Sequence, residues 1–363
     1  MSVSTNDAFA AEIIERGAAG FAGFAASLMI ERKPSLRDRY PGDAQGVWKS
    51  HLVHRAVELS SALATGHPKL FATRVLWTAK AFSARGADIG DVRLSLEALR
   101  DVLRQHMPVP AGAAAIECLE HAILSLGGKL VVDRSELDPA RDCDRLALQY
   151  LQQVLEGDSS GAIRLIQSAV ESGLPVRSAY LEVLLPAQRE IGRLWHQNDV
   201  AVAEEHLVTA TTHRAMAVLA HAAAAAPANG LCAVVAAVAS NAHDIGLRAV
   251  ADLFQIDGWR AIYLGADVPA EDLPSMVAYF DADLLLLGAS LSVHLARVAE
   301  TIKILRADAG STVRVLVGGS GFNDEPGLWR QLGADGFAAT ADEALQVGRA
   351  LVTSPGNSAA GES

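Results

Sequence analysis

Three short stretches in the C-terminal third of the chain place reactive or bare residues directly after apolar runs. They are Asn241-x-His243-Asp244-Ile245-Gly246, Ser290-Leu291-Ser292 and Gly318-Gly319. An imidazole such as His243 is a borderline nitrogen donor suited to a transition metal. Serine hydroxyls can meet the polar edge of a ligand, and paired glycines let a bulky ligand approach the backbone closely. Upstream, "WHQNDVAVAEEH" sets Trp195 and His196 ahead of the acid–imidazole pair Glu205-His206, with nine residues between Trp195 and Glu205. Each feature alone has an ordinary explanation: a capping histidine, a turn, a core tryptophan, a solvated helix face. Their joint occurrence calls for elements that bring them together.

From Leu231 the apolar runs "LCAVVAAVA", "RAIYLG", "DLLLLGAS" and "VRVLVGG" alternate with helix-like stretches. "DGFAA" and a last helix, 342–352, follow. Continuously apolar strands separated by helices predict a parallel sheet covered on both faces. Five such units over 228–353 fit a flavodoxin-like, doubly wound α/β domain with strand order 2-1-3-4-5. Ligands of that topology bind beyond the C-terminal strand ends, near the switch between strands 1 and 3. The three stretches leave strands 1, 3 and 4, so the fold would gather them at one crevice. Residues 141–227 read as four helices (144–155, 161–171, 177–195 and 200–226) with short breaks, as in an antiparallel bundle. Asn198-Asp199 would end one helix and cap the next, so Trp195 and Glu205-His206 flank one turn. Residues 1–126 read as helical throughout, 127–140 as a linker and 354–363 as a disordered tail, giving an α plus α/β protein.

A chain of 363 residues accommodates two or three domains. Its net charge of −11 argues against broad attraction to nucleic acid, and no helix-turn-helix with a basic recognition helix is seen. Cys118, Cys143 and Cys232 lie far apart without metal spacing, which fits a reducing cytoplasm. The longest apolar candidate for a membrane span, 215–226, is too short and holds His221. The N-terminus lacks the regions of a secretory signal. The expectation is a cytoplasmic protein with no membrane segment.

The three stretches resemble the signature of cobalamin-binding domains, Asp-x-His-x-x-Gly, Ser-x-Leu or a close variant, and Gly-Gly. "LGADVPAEDL" and "GADGFAATADEAL" are similar to that family too, and the likeness covers residues 141–352. The resemblance implies that His243 binds cobalt from the lower face in place of the cofactor's dimethylbenzimidazole. The displaced nucleotide tail would run between the Ser290 and Gly318 loops. The chain departs from the pattern at Asn241, which can accept a hydrogen bond but lacks the charge of the family's aspartate; Asp244 is the second candidate to orient the imidazole. The Trp-x9-Glu-His spacing resembles the cap of light-sensing adenosylcobalamin regulators. That likeness implies that Trp195 packs on the adenosyl group and Glu205-His206 sits above the corrin. His196 is then the first candidate, and His206 the second, to occupy cobalt after light.

Familiar members of that photoreceptor family begin with a DNA-binding domain, which this chain does not show. Its helical N-terminal region is instead similar to photocobilins, which hold a bilin as well. Trp48, His51, His54, Arg55 and Trp77 would then serve a biliverdin, without a thioether link because no cysteine lies in that helix pair. The leading expectation is an adenosylcobalamin light sensor with a biliverdin chromophore, signalling as a homo-oligomer whose state changes with light, to a downstream protein partner that the sequence does not name. A methyl-carrying corrinoid protein or mutase subunit, and a dark cobalamin-sensing regulator, are the alternatives. No catalytic acid–base or nucleophile set is visible, so no enzyme is expected.

Overall fold

A computed structural model describes residues 4–128, 133–307 and 312–353. Part of the expected linker, 129–132, and the expected tail, 354–363, lie outside the described residues. The chain forms two compact units; His196–Asn198 group with the first, and the second comprises the rest of the chain after residue 132.

The first unit is helical: α1 Thr5–Arg32, α2 Leu36–Arg39, α3 Ala44–Ala64, α4 Pro68–Ala84, α5 Ile89–His106 and α6 Val109–Ser125. Helix α1 revises an expectation, because by length and composition it is apolar enough to cross a membrane. Glu12, Glu15 and Arg16 break its apolar run in the sequence. Folding puts Ala10, Ile14, Ala18, Ala22, Ala25 and Met29 in the unit's core, where a helical stripe of small residues lets α3 approach closely. Buried charges are paired: Asp91 takes Lys33 and Arg39, and Arg55 takes Glu58.

The second unit opens with the bundle: α7 Asp142–Leu155, α8 Ser159–Glu171, α9 Val176–Ser178, a π-helical turn Ala179–Leu184, α10 Leu185–His196 and α11 Val202–Ala222. The third helix expected from the sequence is therefore not one regular helix. The wide turn carries Tyr180 and Val183, both fully buried. The fourth ends at Ala222, four residues short of the end of the alanine run. Ala223 is already extended, and the Ala226 N–H bonds to the Ile256 carbonyl on the way to the sheet.

The sheet has the expected order β2-β1-β3-β4-β5, all parallel, with β1 Cys232–Val238, β2 Arg260–Val268, β3 Leu284–Gly288, β4 Arg314–Gly318 and β5 Gly336–Ala338. Helices α12 Ile245–Ile256, α13 Leu273–Phe280, α14 Leu295–Ala307, α15 Leu328–Gln331 and α16 Ala341–Thr353 complete it. Strands β1 and β3 are buried at every position, which explains their unbroken apolar runs. Ile245 and Ala249 of α12 belong to the same apolar cluster as the bundle, so bundle and sheet share a core.

Candidate cobalamin site

The loop leaving β1 is set by Asn241, which is fully buried. Its Nδ2 donates to the Gly288 carbonyl (3.0 Å), and its Oδ1 accepts the His243 N–H (3.1 Å). This side-chain turn braces the backbone rather than the imidazole. His243 is exposed, and its ring makes no hydrogen bond among the described residues. Ser290 Oγ donates to the His243 carbonyl (2.9 Å), and Ser320 Oγ to the Ser290 carbonyl (2.6 Å), so the loops after β1, β3 and β4 are tied in series.

The glycines divide into two kinds. Gly319 has φ +103°, and a Cβ there would stand 2.5 Å from the Ala289 carbonyl; one on Gly318 would meet the Ala338 carbonyl at 2.7 Å. Only bare backbone lets those loops close together. A Cβ on Gly246 would meet nothing within 4 Å, so that position borders open space beside His243. Ser292, at 7% exposure, starts a short 3-10 turn, with Leu291 half-buried before it. Ile245 faces into the bundle core. An unengaged imidazole beside open space, next to loops closed on glycine, fits a bulky ligand whose metal would take a nitrogen donor.

Asp244 has other partners. Its Oδ2 accepts the Tyr263 hydroxyl (2.5 Å), and its Oδ1 lies 3.2 Å from His213 Nε2. The bond to His213 holds this carboxyl below the usual carboxylate range against the opposing cost of burial, with Tyr263 assisting. Burial and Asp244 push the Tyr263 hydroxyl well up. Neither residue expected to orient His243 bonds to its ring. His213 and Tyr263 carry no local sequence signal, since each lies far along the chain within an ordinary helix or strand.

Near the turn between α10 and α11, Trp195 is half-buried. Glu205 Oε2 lies 2.7 Å from His206 Nδ1, and Glu205 Oε1 accepts from Thr209 (2.9 Å). The His206 side chain remains 74% exposed. His196 is placed otherwise. It is buried in the first unit, its ring stacked on Trp77 (4.3 Å between centroids) and its Nε2 2.8 Å from the Trp77 carbonyl.

Of the residues considered for a bilin, Trp48 is buried against Tyr40, His51 and Phe82, and its Nε1 has no hydrogen-bond partner. Arg55 is buried and paired with Glu58, and burial, followed by Arg55, holds the His51 imidazole below its ordinary value. Arg74 lies 4.4 Å over the Trp77 ring, and His54 is exposed. No cluster of three or more His, Cys, Asp or Glu suited to a metal ion occurs among the described residues.

Comparison with known proteins bears on the family of the second unit. Residues 231–347 match a family described as B12 binding domain, and residues 146–220 match a second family of the same description. A corrinoid protein of Desulfitobacterium hafniense is 25% identical over 208 residues, 55% of this chain and 94% of that protein. The HTH-type transcriptional repressor CarH of Myxococcus xanthus is 29% identical over 173 residues, 48% of this chain and 57% of the repressor. The structure of the Methanosarcina barkeri monomethylamine corrinoid protein has the same fold, with a TM-score of 0.50 at 20% identity over 56% of this chain and 97% of that one. Over residues 146–220 and 231–347 the chain thus carries B12 binding domains, which imply a corrinoid cofactor.

Proposed function

We propose that the protein is an adenosylcobalamin light sensor of the cytoplasm rather than an enzyme. The observation that carries the corrinoid part of this reading is the exposed, unengaged His243 beside the open Gly246 position. In this reading 1–126 is a sensor region joined by 127–140 to a cap, 141–227, and a cobalamin-binding domain, 228–353. His243 holds cobalt from below, and the buried Asn241 fixes the loop that presents it. Ser290, Leu291, Ser292, Gly318 and Gly319 border the slot for the nucleotide tail. Trp195 shields the upper face, with Glu205 and His206 beside it. The bound cofactor supplies a cobalt–carbon bond weak enough for visible light to break. Once light has broken that bond and the adenosyl group has left, His196 would be the first candidate to hold cobalt and His206 the second; His196 would have to leave its seat on Trp77, a local exchange able to bias a two-state assembly.

The 94% coverage of the corrinoid protein supports a second reading, a methyl-carrying corrinoid or mutase subunit. A dark cobalamin sensor is the third. Absorption and sedimentation of the adenosylcobalamin-loaded full chain, in the dark and after illumination, separate them. The light sensor changes from an alkylcobalamin to a bis-imidazole spectrum and changes oligomeric state. His196→Ala ends water-ligated, or His206→Ala does if the two roles are exchanged. A wild-type light product with water on cobalt, or identical sedimentation, rules the switch out. Biliverdin as a second chromophore of the N-terminal region, beside Trp48, His51, Arg55 and Trp77, is the further part of this reading.

A further inference from the structure

Helix α12 begins directly after His243, and Asp244 stands at its N-cap. Aspartate there ordinarily accepts a backbone N–H of the first turn. Asp244 makes no such cap bond. Its two oxygens are taken instead by His213 of α11 and Tyr263 of β2. The same face of α12 continues this connection, since Asp244, Arg248 and Asp252 recur every four residues. Arg248 Nε donates to Asp252 (3.0 Å), and Tyr180 Oη in the π-helical turn lies 2.9 Å from Asp252 Oδ2 and 2.8 Å from the Met216 carbonyl of α11. His213 and Met216 share one face of α11. The bundle therefore packs on the helix that follows the His243 loop, through two polar ties and a shared apolar core, and also reaches α16 through the ion pair of Arg177 with Asp342. Of the two ties, only Asp244 adjoins His243.

We propose that Asp244, clamped between His213 and Tyr263, is a positioning residue that couples the seating of the bundle to the presentation of His243. The inference rests on the reading of His243 as the cobalt ligand. With the clamp closed, the first turn of α12 and the peptide joining it to His243 keep one orientation. With it open, the loop retains Asn241 but loses its fixed bearing toward the bundle.

The test uses the full chain with nitrogen-15-labelled histidine, loaded with cob(II)alamin, in which a doublet splitting of the cobalt EPR signal reports a histidine ligand and a triplet the cofactor's own unlabelled base. His213→Ala and Asp244→Ala should each lower the histidine-ligated fraction and weaken cobalamin binding by about tenfold, the lower end for groups that orient a metal ligand. The double variant should be no worse than Asp244→Ala, because both remove one link. His213→Gln, which retains an N–H donor, should recover most of the doublet. Tyr263→Phe removes only a hydroxyl and should reproduce the loss even if His213→Ala folds poorly. A wild-type doublet and affinity in both His213→Ala and Tyr263→Phe, or losses that simply add in the double variant, overturn the proposal. If wild type itself shows no histidine doublet, or His243→Ala retains it, the ligand assignment fails instead.

Discussion

His243 presents an imidazole that does nothing for the fold, which suits the proposed role of a metal ligand. Its ring is exposed and unbonded, whereas its backbone is held by Asn241 and Ser290. Removing the ring should therefore leave stability within about 0.5 kcal/mol of wild type, as for other surface changes. His243→Ala should nonetheless weaken cobalamin binding by more than about tenfold or leave a base-on or water-ligated spectrum. Parallel thermal melts and cobalamin titrations check both halves; unchanged affinity and spectrum would remove His243 from the cobalt. The motif's departure at Asn241 also has a structural account. An amide can both donate to Gly288 and accept from His243, which an ionised carboxylate cannot.

Among the loops and helices that carry these residues, two glycines should answer substitution in opposite ways. Gly319 has φ +103° and no room for a Cβ, so Gly319→Ala should cost about 2 kcal/mol through left-handed strain and contact with the Ala289 carbonyl. Gly246 sits in the first turn of α12 with open space around it. Gly246→Ala should stabilise the cofactor-free protein by up to about 1 kcal/mol, because alanine is the better helix former. On the cobalamin reading it should also weaken cofactor binding by crowding the face beside His243. Urea unfolding and cobalamin titration of the two variants test this; a Gly246→Ala protein with undiminished affinity would place the corrin elsewhere.

The molecule as a whole has separate cores in its two units, so ligands should act on them separately. A ligand selective for the folded state at one hundred times its Kd adds about 2.7 kcal/mol to the unit that binds it. In calorimetry of the full chain, cobalamin should raise the transition of the second unit and leave that of the first in place. Biliverdin should do the reverse, together with a red absorption band. Should biliverdin move neither transition, the second chromophore is discarded and the protein is a cobalamin-only sensor.

The chain order of elements, the strand order and the gathering of the His243, Ser290 and Gly318 loops were all legible in the sequence. Each follows from local patterning: unbroken apolar runs for the buried strands β1 and β3, breaks between helices, and a doubly wound topology that leaves few alternatives. The π-helical turn at Ala179–Leu184 and the true end of α11 were not legible, because helix propensity is unchanged across them while tertiary packing is not. Partner choice was equally hidden. Asp244 stands next to His243 in sequence yet bonds to His213 and Tyr263, and His196 stands next to Trp195 yet stacks on Trp77, 119 residues away. A side chain's neighbour in sequence shares its backbone, but its hydrogen-bond partner is whichever group the fold brings within about 3 Å, and no periodicity in the chain encodes that.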